Sequence, residues 1–389
     1  MTFAGSRRLR HIPVSGLGKL TEAAPGGAAV NLAVGTPGWP RPPQAIIEQA
    51  GVAAGEGHNQ YADPRGNADL RVALARSFAT PADPQTEITV TVGASEGLSV
   101  ATLTLLDPGD EIVVIEPFYE NFVSAIAMAS ATPRFVRVHA PEWRWDVAEL
   151  EAAIGPRTRA ILLNSPNNPT GRVLDEQEWA QVAHLCERHN LFVISDEAYA
   201  AYVFDGRRHI SAADVPGLRE RSIVVGSLSK TYAISGWRLG FLRAAPAVTQ
   251  ALRKVHMGLT GGTAAPLQQA VARSGLLGGA GWNPRPEMQA LRDRAVRIFR
   301  RAGLDCHSPQ GGCYVTAELG PYGRADCQTF VHRLAAEYGV LVAPGRLFLH
   351  DRDADSGFVR IAFNKPAAQL DAAEHRLTGL SPDFAWSSR

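Results

Sequence analysis

The chain has 389 residues, 45% of them hydrophobic, enough for two or three domains around a sizeable core. Basic and acidic side chains number 39 and 38, a net charge of +1, so no basic surplus points to a dedicated nucleic-acid protein. No apolar run approaches the ~18 residues of a membrane helix, and the opening MTFAGSRRLRHIPVSG has no apolar signal core, so a cytoplasmic enzyme without membrane association is expected.

Residues 1–43 are rich in Gly and Pro and read as an irregular arm. From residue 86 strands and helices alternate. ITVTV (88–92) predicts a strand and SEGLSVATLTLL (95–106) a helix. After the turn DPGD come the apolar run EIVVIE (111–116) and the strand PRFVRV (133–138). DVAELEAAI (146–154) and DEQEWAQVAHLCERH (175–189) each place Asp at a helix start with Glu three residues on, the pattern of a capping box. RAILLN (159–164), LFVIS (191–195) and SIVVG (222–226) are short buried strands. Alternation with nearly continuous apolar strands predicts an α/β fold, a mostly parallel sheet with helices on both faces. The arginine-rich helix PEMQALRDRAVRIFRRAG opens a smaller α+β domain after about residue 285. The expected division is 1–45 for the arm and part of the small domain, 46–280 for a large domain and 281–389 for the rest of the small one.

Parallel sheets bind ligands beyond the carboxyl ends of their strands, so chemistry is sought there. Gly93-Ala94-Ser95-Glu96-Gly97 follows the first strand. It fits G-x-S-x-G, a serine-hydrolase elbow with Ser95 as nucleophile. It fits equally a small-residue turn into a helix N-terminus that receives an anion, or a tight turn with no further role. No Asp and His are singled out later in the chain to complete a triad. Ser227-Leu228-Ser229-Lys230 is S-x-x-K, also found in penicillin-recognising serine enzymes. Those carry S-D-N and K-T-G downstream, whereas here Ser195-Asp196-Glu197 lies upstream and K-T-G does not occur. Of the basic residues only Lys19, Lys230, Lys254 and Lys365 are lysines, so an amine nucleophile has few candidates. The four cysteines (Cys186, Cys306, Cys313, Cys327) show no C-x-x-C spacing, and neither a metal site nor a disulfide framework is signalled.

The strand-end clusters carry more together than apart. SPNNPTG (165–171), DEAY (196–199) and SLSK (227–230), with Arg238 and Gly240 behind them in GWRLG, place an amide, a carboxylate, a phenol, an amine and a guanidinium on one sheet edge. A phosphorylated pyridine aldehyde needs that set. With YADPRGNADLR (61–71), VGASEGL (92–98), EPFY (116–119) and FVRIAF (358–363), the chain resembles the fold-type I pyridoxal-phosphate enzymes of the class I/II aminotransferases, from about Asn31 to Lys365.

The resemblance implies roles. Lys230 resembles the Schiff-base lysine, Asp196 the carboxylate paired with the pyridine nitrogen, and Tyr199 and Asn168 the donors to the ring oxygen. Tyr119 resembles the stacking aromatic. Ala94, Ser95, Ser227 and Arg238 resemble the phosphate cup, and Tyr61 the tyrosine that reaches the phosphate from the other subunit of a homodimer. Gly35 and Arg360 resemble the groups that hold the substrate α-carboxylate. Lys254 and Lys365 read as surface lysines, and Lys19 belongs to the arm.

Some positions depart from the family pattern. Gly38 stands where an Asp is frequent, and HMGLTGGTAAPLQQA (256–270) has no arginine to read a distal carboxylate, which weighs against aspartate as donor. Glu120 reads either as a selector for basic side chains or as a helix-start glutamate. The expected function is pyridoxal-phosphate transamination from an L-amino acid to a 2-oxo acid. The alternatives are a β-lyase or another branch of the same carbanion chemistry, the Ser95 hydrolase, and a non-catalytic regulator, for which no added DNA-binding segment is visible.

Overall fold

The computed structural model describes residues 5–22, 30–35, 39–277, 281–322, 326–354 and 356–380. Gly38 lies outside them. Eight strands come first: β1 (Val30–Asn31), β2 (Ile88–Val92), β3 (Glu111–Glu116), β4 (Thr132–Arg137), β5 (Thr158–Asn164), β6 (Phe192–Asp196), β7 (Ser222–Ser227) and β8 (Leu239–Ala244). Strands β2 to β8 form one seven-stranded sheet in the order β2-β8-β7-β6-β5-β3-β4. Its neighbours pair parallel except β8, which runs antiparallel to both β2 and β7.

The sequence pattern accounts for this arrangement. Along β5, Ile161 and Leu163 enter the core on one face while Ala160 and Leu162 enter the core on the other. Side chains alternate across a strand, so a strand covered on both faces is apolar throughout. The helix Gly93–Leu105 contributes Leu98, Val100 and Ala101 to one face, and the helix Glu176–Arg188 contributes Trp179, Val182 and Leu185 to the other. Asp175 and Glu178 close the expected capping box, and Asp146 caps Val147–Ala152 by accepting from the amides of Ala148 and Glu149. Strand β8 was not expected. The stretch from β7 to β8 is too short for the crossover that a parallel neighbour needs, so the chain returns antiparallel.

Five further strands follow: β9 (Asp305–His307), β10 (Tyr314–Glu318), β11 (Val340–Leu341), β12 (Ala343–Pro344) and β13 (Phe358–Ala362). Four of them make an antiparallel sheet, β12-β13-β10-β9. The helices Arg285–Arg301 and Cys327–Tyr338 share its core through residues such as Phe299 and Phe330. β1 pairs parallel with β11, Val30 opposite Val340, and so joins the early chain to this late region. Ala33 and Gly35 are thereby carried to the edge where the two sheets face each other.

Candidate active site

The carboxyl ends of β2, β5, β6 and β7 open onto one cleft of about 260 Å³. Every residue singled out above for a site role lines it except Tyr61, whose side chain is fully exposed. Lys230 sits in the short helix Leu228–Thr231 directly after β7. Ser227 caps that helix by accepting from the Ser229 amide, and Tyr202 donates to the Lys230 carbonyl over 2.7 Å. The lysine's position is thus fixed by the backbone on both sides.

Asp196 ends β6, the strand beside β7. Burial raises its carboxyl to about 7, against the lowering pull of the Ala198 amide, which donates to Oδ1 over 3.0 Å, and of Lys230. Burial likewise holds the Lys230 amine below the ordinary lysine range, and the Arg360 and Arg238 charges add to this. Lys230 Nζ donates to the Gly35 carbonyl over 3.4 Å. Tyr199 is buried, and burial raises its phenol well above the usual value. Tyr119 stands across the cleft, edge-on to Phe122 and accepting from Asn121 through its hydroxyl.

One end of the cleft is shaped for an anion. The helix Gly93–Leu105 begins there, so Ala94 and Ser95 present a helix N-terminus. A side chain on Gly93 would meet the Arg238 guanidinium at 2.6 Å, and one on Gly240 would meet the Gly93 carbonyl carbon at 2.5 Å. These two glycines let β8 and the arginine close on the helix start. Ser227 adds a hydroxyl.

At the other end Arg360, on β13, is almost wholly buried. Its Nη1 donates to Asn168 Oδ1 over 2.8 Å and its Nη2 to the Ala33 carbonyl over 2.6 Å. The Asn168 amide is itself held by Asn164 Oδ1 at 2.7 Å. Arg360 Nε has no hydrogen-bond partner among the described residues.

The structure corrects one expectation and bears on another. Lys365 is not a surface lysine: it is half-buried, and its Nζ donates to the Val34 carbonyl over 2.8 Å. Glu120 stands at the start of the helix Asn121–Met128, as one of its two readings expects, but its side chain is not free to read a substrate. Its carboxylate accepts from Ser15 Oγ at 2.7 Å and from the Gly16 amide at 3.0 Å, capping the arm helix Gly16–Glu22. That helix brings Leu17 into the cleft wall. Tyr314, also in the wall, was missed, because it lies on β10 in a motif-poor stretch. As for the hydrolase alternative, Ser95 bonds no His or Asp among the described side-chain contacts. The imidazole of the adjacent network, His256, bonds Glu96 and the Pro64 carbonyl.

The donor set suits pyridoxal phosphate. An amine held below its ordinary range, a buried carboxylate, a pair of adjacent phenols and an anion cup line one cleft. Among the described residues the buried Ser229 Oγ and Arg360 Nε are left without partners of their own.

Comparison with known proteins agrees. The family model for aminotransferase class I and II matches residues 28–377. A probable N-succinyldiaminopimelate aminotransferase of Mycobacterium tuberculosis is 35% identical, over 96% of this chain and 98% of its own. The solved structure of the M. tuberculosis N-succinyldiaminopimelate aminotransferase superposes with a TM-score of 0.92 at 34% identity, covering 97% of this chain and all of that one. YbdL from Escherichia coli, described with a methionine aminotransferase function, gives 0.89 at 29% identity, covering 97% and 99%. The chain belongs to the class I and II aminotransferase family: it is an enzyme that transfers amino groups with pyridoxal 5′-phosphate as its cofactor.

Proposed function

We propose that Lys230 is the residue that joins the cofactor covalently and then moves the proton at the substrate α-carbon. The observation that carries this is the pairing, on adjacent strand ends, of a buried amine held below its ordinary range with a buried carboxylate. An amine that is not protonated can take a proton, which is what a base at that carbon must do. When bound, the cofactor supplies a carbon that accepts and returns the amine and a ring that takes up the electron pair of the α-carbon.

The other residues bind and orient. Asp196, ionised opposite a ring cation, keeps the pyridine nitrogen protonated. Asn168 Oδ1 is already engaged by Arg360, so its amide nitrogen is the group left to donate to the ring oxygen, alongside Tyr199. Tyr119 supports the ring face. Ala94, Ser95, Ser227 and Arg238 hold the phosphate, arginine through its forked donors. Arg360 and Gly35 hold the α-carboxylate of the amino acid or 2-oxo acid.

Tyr61 is exposed in the single subunit, as fits a homodimer in which it reaches the phosphate of the neighbouring copy. The cleft-lining arginines among the described residues are Arg238 and Arg360, and Leu17 and Val34 line the wall. We therefore read the amino donor as one with a neutral side chain. Cys186, Cys306 and Cys313 are buried free thiols, which fits a reducing cytoplasm. No helix of the described residues is long and apolar enough to cross a membrane. The division into an arm, a large domain over 46–280 and a small one over 281–389 is supported by the two sheets, with β1 joining the second region through β11.

Borohydride reduction of the holoenzyme followed by peptide mapping tests the assignment. The expected adduct is on Lys230, and an adduct on another lysine overturns it. Single-turnover spectra with a panel of amino acids then rank the donors. Release of pyruvate and ammonia in place of the aminated cofactor would point to lyase chemistry.

A further inference from the structure

Tyr314 and Tyr199 are both buried, and their rings meet edge to face with centroids 6.1 Å apart and planes at 77°. Their hydroxyl oxygens lie 3.5 Å apart, the outer edge of hydrogen-bonding range. Among the described residues neither hydroxyl has another nitrogen or oxygen partner; the Cys313 thiol lies beside both. Tyr314 is held in place from three sides. The Arg360 guanidinium stacks on its ring at 3.9 Å, Tyr199 meets its edge, and the Gly35 backbone presses on its hydroxyl. A Cβ at Gly35 would stand 2.1 Å from Tyr314 Oη.

A phenylalanine at 314 would fill the same space, stack under the same guanidinium and spare the burial of a hydroxyl. The hydroxyl therefore needs a use that offsets its desolvation. Burial holds both phenols in their protonated form, so each is a donor as well as an acceptor. Once Tyr199 commits its proton to the ring oxygen of the cofactor, its own oxygen is left as an acceptor. Tyr314 is the oxygen-bound donor beside it.

We propose that Tyr314 is a positioning residue that donates to Tyr199 and so strengthens the hydrogen bond from Tyr199 to the cofactor ring oxygen. The inference rests on the reading of Tyr199 given above. Hydrogen bonds in series polarise one another, and a donor that is itself hydrogen-bonded at its oxygen gives up its proton more readily. A stronger donor stabilises the ionised ring oxygen and lowers the pKa of the lysine-linked chromophore.

The test is spectrophotometric pH titration of the reconstituted holoenzyme, compared for Tyr314→Phe, Tyr199→Phe and the double variant, with melting curves to establish folding. Tyr314→Phe is expected to raise the chromophore pKa, an about 3- to 10-fold change in the ionisation constant. Tyr199→Phe raises it further, and the double variant matches Tyr199→Phe. If Tyr199→Phe moves the pKa and Tyr314→Phe does not, the proposal fails while the reading of Tyr199 stands. An equal Tyr314→Phe shift in the Tyr199→Phe background overturns it too, because Tyr314 then acts without Tyr199. If Tyr199→Phe leaves the pKa unmoved, the reading of Tyr199 itself falls, and the relay with it.

Discussion

Arg360 donates from Nη1 to Asn168 Oδ1 over 2.8 Å, and this bond ties the small antiparallel sheet to the loop after β5. The same guanidinium stacks between the Tyr314 and Phe348 rings at 3.9 and 4.4 Å and anchors the Ala33 carbonyl. Orientation of the fork is thereby set before any carboxylate arrives, which reduces the ordering cost of binding. A buried cation with an unpartnered Nε is, in turn, a site with spare donor capacity.

Arg360→Lys keeps the charge and loses the fork. The expected result is a fall of about 10²- to 10³-fold in kcat/KM for the amino-acid half-reaction, carried mainly by KM, from the loss of a desolvated bidentate contact. Asn168→Ala should cost less in KM, because the fork survives. Stopped-flow half-reaction kinetics over a range of amino-acid concentrations measure both.

Asp196 gives a pH-dependent prediction for the cofactor-free protein. Its folded carboxyl titrates at about 7, against 3.8 for the unfolded chain, because burial opposes the charge. Between those values the folded state holds a proton that the unfolded state has released, so stability falls as pH rises through the interval. Asp196→Asn removes that loss. Above pH 7 the cofactor-free variant should be more stable than the parent, by at most about 4 kcal/mol, with little difference near pH 4. The cofactor itself should be retained less well by the variant. Thermal melts at pH 5 and 8, with and without cofactor, separate the two effects.

How far the sequence carried this picture depends on where each residue lies. Asn168, Asp196, Ser227 and Lys230 stand just beyond strands whose apolar runs are plain, and the parallel-sheet rule collects them on one edge. Tyr314 and Lys365 answer to no such rule. Tyr314 reaches the cleft, and Lys365 the Val34 carbonyl at its wall, through the antiparallel pairing of β10 with β13 and the parallel pairing of β1 with β11, the last of which sets Val30 opposite Val340 from the far end of the chain. Glu120 shows the same limit. Its position beside Tyr119 is plain in EPFYE, but its partners Ser15 and Gly16 lie about a hundred residues away. The antiparallel turn of β8 follows from the shortness of the stretch between Ser227 and Leu239, a matter of chain length that the residue pattern of GWRLG does not express.

Glu120→Ala should release the arm. The carboxylate neutralises the start of the helix Gly16–Glu22 with one side-chain and one backbone hydrogen bond, a charge-assisted pair at the positive end of the dipole. The helix Gly16–Glu22 adds little to the main core, since Leu20 is its one buried residue. Limited trypsin digestion is therefore expected to cut at Lys19 about tenfold faster in the variant, with the melting temperature nearly unchanged. Because Leu17 lines the cleft, KM for the amino donor should rise as well. Unaltered cleavage would mean that the arm is held by other contacts.

The pair Glu96 and His256 lies under the anion end of the cleft and sets the last expectation. Glu96 Oε1 accepts from His256 Nδ1 at 2.8 Å and from Thr260 Oγ1 at 2.6 Å, and Oε2 accepts from the Val92 amide at 2.5 Å. His256 Nε2 meets the Pro64 carbonyl at 2.8 Å, so the imidazole spans from the helix start at Gly93 to the loop that carries Tyr61. Burial pushes the Glu96 carboxyl up, but the bonds from His256, Thr260 and Val92 outweigh it and hold the group below its ordinary range. A depressed carboxyl contributes stability that is present above its unfolded pKa and is lost as pH falls through the folded one. Acid unfolding below about pH 4.5 should therefore be shallower in Glu96→Gln than in the parent. His256→Leu strips a buried carboxylate of one partner and should cost about 3–5 kcal/mol at pH 7. In the double variant Glu96→Gln/His256→Leu much of that cost returns, as a coupling of about 0.5–3 kcal/mol between touching groups. Urea unfolding of the four proteins measures the cycle, and strict additivity would show that the two side chains act independently.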